Sequence, residues 1–259
     1  TQEGEIECEL SGKLLYGIEP ELLPRVGDWV YYLDYESMGY IVDVFPRRNA
    51  LSRRAPGGKS ERQVIAANID YALVIQGLDR DFNVMRVDRY LVQIISCGIA
   101  PVVVLNKADL VADVEPFRKE IARLGRDCPV YFCSTYSGFG MDDLRSGVLK
   151  PLKTHIFVGS SGVGKSSIIN SLTGDHHLKT KTLSHSTNKG RHTTTTRDLF
   201  VTPNGSLVID TPGMREFGVA LDDGLAESVL FPEIDKYAKD CRYADCRHLV
   251  EEGCAVIRA

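Results

Sequence analysis

Residues 159–167 read GSSGVGKSS, directly after the apolar run HIFVG and before a segment with helical spacing. The stretch fits G-x-x-x-x-G-K-[ST], with Gly159, Gly164, Lys165 and Ser166 in the fixed places. Glycines at those places let backbone N–H groups curl around a phosphate where a Cβ would collide, and the helix that follows turns its positive end to the same oxygens. Such a loop needs a buried strand before it and a helix after it, so this part of the chain must be an α/β sheet. Gly159, Ser160, Ser161, Gly162, Val163, Gly164, Lys165, Ser166 and Ser167 are therefore candidate phosphate-binding residues. Lys165 is expected to reach the β and γ oxygens, and Ser166 to coordinate Mg²⁺.

The surrounding rhythm agrees. From residue 70, apolar runs YALVIQG, PVVVL, PVYFC and HIFVG alternate with helical patterns. One helix carries Val87, Tyr90, Leu91, Ile94 and Ile95 at three- and four-residue spacing, and others are expected near 114–125 and 141–149. Strands DLFVT and SLVID follow a polar stretch, and a short helical piece is expected beyond residue 222. Alternation of this kind predicts an open, mostly parallel sheet covered on both faces. Residues 1–65 differ: the runs IECEL, DWVYYLDY and GYIVDVF, split by turn signals at Ser11-Gly12, Pro24 to Asp28 and Ser37 to Gly39, predict a small β-barrel or sandwich.

A second nucleotide motif precedes the first. Asn106, Lys107, Ala108 and Asp109 (NKAD) follow the run VVVL, where a base-reading loop at the carboxyl end of a parallel strand belongs. The Asp109 carboxylate can accept from guanine N1–H and the exocyclic amine. Adenine would leave it unpaired, and a site built for such bonds rejects the analogue by as much as ~10⁴-fold. GTP is thus expected over ATP. The Lys107 stem is expected along the base, and Ser134 and Thr135, just after PVYFC, beside the guanine carbonyl. DTPG (210–213) ends SLVID: Asp210 would hold Mg²⁺ through water, and the Gly213 N–H would sense the γ-phosphate. One of Thr193 to Thr196, with Thr195 and Thr196 the best placed, would complete the Mg²⁺ shell. Met214 stands where Ras-like enzymes carry a water-orienting glutamine, so slow intrinsic hydrolysis is expected. His192 is the local candidate for that work, with a surface histidine as the alternative. Lys165, His192 and Gly213 form the catalytic set.

The tail reads CRYADCRHLVEEGC. Cys241, Cys246, His248 and Cys254 supply three thiolates and an imidazole within fourteen residues, enough to close a tetrahedral Zn²⁺ shell with no open position, which is structural zinc. Disulfides are the alternative, and the interposed histidine disfavours them. The other four of the seven cysteines, Cys8, Cys97, Cys128 and Cys133, are scattered and expected in the core.

With 31 basic against 35 acidic residues the net charge is -4, which excludes a general attraction to nucleic acid and leaves local patches. RRNALSRRAPGGKSER (47–62) holds six bases and one acid; residues 176–197 hold five Lys/Arg, four His and no acid. Solvated loops are the plain alternative for both. No long uninterrupted apolar run and no cationic leader are present, so a soluble, unexported protein is expected. Residue 1 is Thr, which suggests a processed or partial gene product.

The order NKAD, Ser-Thr, GSSGVGKSS, GRHTTTT, DTPG, then C-x4-C-x-H-x5-C, together with PRVGDWV, FPRRNAL, AANID and FPEI, resembles the circularly permuted GTPases of small ribosomal subunit biogenesis, the RsgA (YjeQ, EngC) family. The resemblance implies a multi-domain protein: an N-terminal OB-fold β-barrel (1–65), a central α/β P-loop GTPase domain with permuted motif order (66–218), and a C-terminal zinc-binding module (219–259), with one structural Zn per chain and Mg beside GTP or GDP. It implies GTP hydrolysis stimulated by the 30S subunit during late maturation of 16S rRNA, in the cytoplasm, by a monomer that binds no membrane. The family continues into helices after the last zinc ligand, so a truncated or disordered tail is expected beyond residue 259. In this setting Arg47, Arg48, Arg53 and Arg54 become candidate rRNA contacts. Two other readings remain: a nucleotide-gated rRNA-binding scaffold with incidental hydrolysis, and a metabolic P-loop kinase, which would have no need of NKAD.

Overall fold

The computed structural model describes residues 4–35, 38–54, 62–174, 198–210, 232–243 and 245–259. The chain divides into two compact units, Thr1–Ala220 and Leu221–Ala259. At the centre of the first lies a six-stranded sheet built from β6 (Tyr71–Gly77), β7 (Ala100–Asn106), β8 (Val130–Phe132), β9 (Thr154–Val158), β10 (Asp198–Val201) and β11 (Leu207–Asp210). Its spatial order is β10-β11-β9-β6-β7-β8, and β10 alone runs antiparallel to its neighbour.

The inner strands β6, β7, β9 and β11 are rich in β-branched residues and buried on both sides over most of their length, as a parallel sheet between helices requires. From Ala72 onward β6 is buried throughout, and its alternate side chains enter different cores. Ala72 and Val74 face a core with Val87, Leu91 and Ile94 of α2 (Val84–Ser96) and Ile121 of α3 (Glu115–Ala122). Leu73 and Ile75 face Leu144 of α4 (Met141–Val148) and Ile168 and Leu172 of α5 (Lys165–Thr173). Each fully buried Leu or Ile contributes about 1.5–3 kcal/mol relative to exposure, so these two cores fix the sheet and hence the loops at its carboxyl edge. Asn83 caps α2 by accepting from the Arg86 N–H at 3.0 Å, and Gly98, at φ 67°, lets the chain turn away after it. Cys97 and Cys128 pack against the first core and Cys133 lies in the second; all seven cysteines are free thiols.

Before this sheet come a three-stranded sheet, β1 (Cys8–Leu10), β2 (Val30–Tyr35) and β3 (Met38–Val44), and a separate ribbon, β4 (Ala50–Arg54) with β5 (Arg62–Ala67). The ribbon departs from the loop expected at this basic stretch: Leu51, Val64 and Ile65 supply enough apolar alternation to form it and to seat Leu51 and Ile65 in the α2 core. A helix, α1 (Gly12–Gly17), capped by Ser11, stands where only a turn is expected. The ribbon is tied to the main sheet by polar bonds. Asn49 accepts from the Ile69 N–H at 2.9 Å and donates to the Ile69 carbonyl at 2.8 Å, while Gln93 of α2 donates to Ser52 O at 2.7 Å. In the second unit lie α6 (Pro232–Ala238) and α7 (Ala255–Arg258). No helix among the described residues is long and apolar enough to cross a membrane.

Candidate functional site

The two nucleotide motifs leave the carboxyl ends of β7 and β9, with only β6 between them. At one strand spacing each, those ends are about 10 Å apart, so motifs some fifty residues distant in sequence border one crevice. A direct bond joins them: the Asn106 carboxamide, almost fully buried, donates to the Val163 carbonyl at 2.9 Å. Its oxygen lies 3.7 Å from the Cys133 sulfur. Burial pushes the Cys133 thiol up to about 12, so the proton that points at Asn106 stays on sulfur. Asn106 is thus a strut between the two loops.

Within the phosphate loop the backbone dictates the residues. Gly159 has φ 147° and Gly164 φ 97°; a Cβ at Gly159 would lie 2.3 Å from the Ile75 carbonyl oxygen, and one at Gly164 2.3 Å from Asn106 Nδ2. Lys165, at the start of α5, donates to the carbonyls of Gly159 at 2.7 Å and Ser160 at 2.8 Å. Burial lowers its pKa, and the nearby Asp210 carboxylate works in the opposite direction. Ser166 and Ser167 follow in the first turn of α5. Asp210 closes β11 and is buried. Arg86 supports the loop from α2: its guanidinium donates to Ser160 Oγ at 3.2 Å and pairs with Asp81 at 2.8 Å. Neither Arg86 nor Asp81 was singled out from the sequence, although the run DRDFN ahead of a helix is the kind of charged cap that can do this.

The guanine-motif loop is held by side chains. Lys107 adopts φ 64°, and its ammonium meets the Asp79 carboxylate at 2.5 Å. Burial alone would raise the Asp79 pKa, but the Lys107 bond and the Asp81 N–H bring it below the ordinary carboxylate value. Ala108 donates to the Cys133 carbonyl at 3.0 Å and opens the single turn Ala108–Leu110, which fixes Asp109. Ser134 Oγ donates to the Asp109 carboxylate. The same oxygen accepts from the N–H groups of Tyr136 at 3.2 Å and Ser137 at 3.1 Å, which uses its full hydrogen-bonding capacity. Ser134 therefore orients Asp109, and Thr135 lies between it and the exposed Tyr136. A groove of about 750 Å³ lined by Leu78, Asp79, Arg80, Asp81, Leu110, Val111 and Phe117 borders this loop.

His192, Thr195, Thr196, Gly213 and Met214 lie outside the described residues. Of the basic candidates, Arg47 is consumed by the fold: its guanidinium forks onto Asp28 at 2.8 Å and donates to the carbonyls of Glu21 and Leu23, leaving the side chain only 16% exposed. Arg48 is 62% exposed and pairs with Asp70 at 3.3 Å. Arg53 donates to Gln63 across the ribbon, and Arg54 ends β4.

In the second unit Cys241, Cys246, His248 and Cys254 converge, with their four ligand atoms within 4.8 Å of one another. The Cys241 and Cys254 sulfurs are 3.9 Å apart, and His248 Nδ1 lies 3.6 Å from the former and 3.3 Å from the latter. A tetrahedral zinc with Zn–S of about 2.3 Å and Zn–N of about 2.0 Å spaces its ligands roughly 3.5–3.8 Å apart, so the donor set fits that ion. The N–H groups of Ala255 and Ile257 point at the Cys241 and Cys254 sulfurs, as expected where thiolate charge is dispersed. Glu251, missed from the sequence, accepts from the N–H groups of Arg247, Leu249 and Val250 and pins the turn that holds His248 at φ 59°. Those backbone bonds lower its carboxyl to about 2.

Residues 44–220 match the family model for the RsgA GTPase. The chain belongs to the RsgA GTPase family. It is 43% identical over its full length to small ribosomal subunit biogenesis GTPase RsgA 1 of Bacteroides thetaiotaomicron, covering 73% of that protein. Against the RsgA of Opitutus terrae it is 44% identical, over 98% of this chain and 72% of the relative. Among solved structures it resembles YjeQ from Thermotoga maritima (TM-score 0.66, 26% identity, 98% of this chain and 82% of that one). It also resembles YloQ, described as a circularly permuted GTPase (TM-score 0.60, 25% identity, 98% and 78%). As a member of this family the chain is a GTPase with the circularly permuted fold, and its sheet order explains how permutation leaves the crevice intact: both motif loops keep their strands although their order in the chain is exchanged.

Proposed function

We propose that the chain hydrolyses GTP to GDP and phosphate in late maturation of the small ribosomal subunit, and that the subunit stimulates the reaction. The observation that carries this reading is the Asn106–Val163 bond, which makes the guanine loop and the phosphate loop two walls of one site. Asp109, held by Ser134, reads the guanine N1–H and amine, with Thr135 beside the carbonyl; the Lys107 stem lines the base from its anchor on Asp79. The N–H groups of residues 159–167 and the Lys165 ammonium take the phosphates, for which Lys165 exchanges its two carbonyl partners for phosphate oxygens. Ser166, Asp210 and Thr195 or Thr196 would hold Mg²⁺, which would neutralise charge on the β and γ oxygens. Burial of Asp210 at the end of β11, near enough to Lys165 to counter part of its desolvation, suits that role. Gly213 would sense the γ-phosphate and His192 would orient water; with Met214 in the glutamine position, slow turnover in isolation follows.

The same reading assigns residues 1–65 to an OB-fold barrel, 66–218 to the permuted GTPase domain and 219–259 to a zinc module in which Cys241, Cys246, His248 and Cys254 hold one structural Zn²⁺. Arg48, Arg53 and Arg54 are its 16S rRNA contacts, and the protein works as a cytoplasmic monomer away from membranes. GTP turnover measured with and without 30S subunits tests it. Strong stimulation, with GTP bound far more tightly than ATP, is the expected result. Turnover indifferent to 30S would favour the rRNA-binding scaffold with incidental hydrolysis, and equal affinity for ATP would remove the guanine assignment.

A further inference from the structure

The outer face of the β1-β3-β2 sheet is aromatic and acidic. Tyr31, Leu33 and Tyr35 of β2 project to one side by strand alternation, and the pairings Leu33–Tyr40 and Tyr35–Met38 bring β3 residues onto that side. Trp29, just before β2, is 71% exposed, Tyr35 59% and Tyr31 52%. Tyr31 stacks on the exposed Phe45 at 4.0 Å between centroids, and Tyr35 meets Tyr40 edge to face at 5.8 Å. Exposed aromatic side chains grouped on one sheet face, rather than scattered singly, mark an interaction surface.

The charges around the face select the partner. Glu9 is paired with Tyr40 and Asp43 with Tyr31, so both acids share the aromatic side. No Lys or Arg occurs in β1, β2 or β3. Residues 1–45 hold ten acids and two bases, while the whole chain has a net charge of only -4, so the remainder of the chain is net positive. A single-stranded nucleic-acid site couples stacking aromatics to a cationic groove that follows the phosphates. Here the rings are flanked by the carboxylates of Glu9 and Asp43, which repel phosphate.

We infer that this face docks a basic, arginine-containing polypeptide segment, whose guanidinium groups stack on Trp29, Tyr31, Tyr35 and Tyr40 and pair with Glu9 and Asp43. Guanidinium planes stack on aromatic faces and fork onto carboxylates, so both features of the surface serve one ligand chemistry. The inference goes beyond the nucleotide site and does not depend on it.

Trp29 is the only tryptophan of the chain, so its fluorescence reports occupancy of the face. The full chain is titrated with a short arginine-rich peptide and, separately, with a single-stranded RNA oligonucleotide of equal length. The peptide is expected to shift Trp29 emission and the oligonucleotide to leave it unchanged. Two variants, Y31S/Y35S and E9K/D43K, should each weaken the peptide by about tenfold, the loss of two exposed cation–π contacts or of the paired charges. The far-UV circular dichroism of both variants should match the parent, which certifies that the sheet still folds, and GDP affinity, set elsewhere, should be unchanged. An oligonucleotide that quenches Trp29 as strongly as the peptide, or peptide affinity unchanged in both variants, overturns the inference.

Discussion

The guanine-motif loop and the cysteine knuckle each hold one non-glycine residue in the left-handed region, Lys107 at φ 64° and His248 at φ 59°, but by different means. Lys107 follows a strand buried from Val102 to Asn106, and its loop is gripped from two other segments of a packed domain, by Asp79 after β6 and by Cys133 and Ser134 after β8. Around His248 there is little packing: among the described residues of the second unit, Cys254 and Ala255 are the buried hydrophobics. On the zinc reading, the contrast is between a site that packing builds before a ligand arrives and one that its ligand must build.

The largest test of that contrast is metal removal. On the zinc reading, a chelator should cost the knuckle on the order of 10 kcal/mol of apparent stability. Hydrogen exchange should then show residues 232–259 open while GDP affinity is unchanged. Nucleotide affinity that fell in step with metal loss would break the comparison. Next comes Asp109→Ala, which on the proposed reading removes two charge-assisted bonds to guanine and also strands the Ser134 hydroxyl proton. A loss of about 4 kcal/mol, roughly 1,000-fold in GDP affinity, is expected by calorimetry. Retained affinity would place the base elsewhere.

Gly164→Ala sharpens the comparison from the other loop. A Cβ there meets Asn106 Nδ2 at a backbone angle L-residues avoid, so nucleotide binding should weaken by about 3 kcal/mol with the core intact. The smallest effect belongs to Glu251. Its carboxyl titrates at about 2 in the fold against 4.5 ordinarily, so its contribution is complete above pH 4.5 and is lost as pH falls toward 2. In Glu251→Gln that acid-dependent loosening of the knuckle should vanish; an unchanged profile would assign it to the cysteines.

Much of this was legible in the sequence because periodicity and fixed spacing both carry it. The runs YALVIQG, PVVVL and HIFVG became β6, β7 and β9, and the helix on Val87, Tyr90, Leu91 and Ile94 lies where its spacing put it. Tertiary support was not legible. Asp79, Arg86 and Cys133 act on motif residues that lie far from them in sequence, and nothing local marks a carboxylate as the partner of a lysine twenty-eight positions on. The β4–β5 ribbon was hidden because the basic run between residues 47 and 62 reads as a charged loop, while Leu51 and Ile65, two of the residues that make it a strand pair, are spent on the α2 core. Arg47 shows the converse: its charge pointed to a ligand, and Asp28 takes it.

The place of β6 in the sheet also has a consequence for how the protein is made. It lies between β7 and β9, yet β9 is translated nearly eighty residues after it. A nascent chain therefore completes the NKAD half of the crevice while one side of a mainly apolar strand still lacks its neighbour, and it must keep that open edge from other chains until residue 158 clears the exit tunnel.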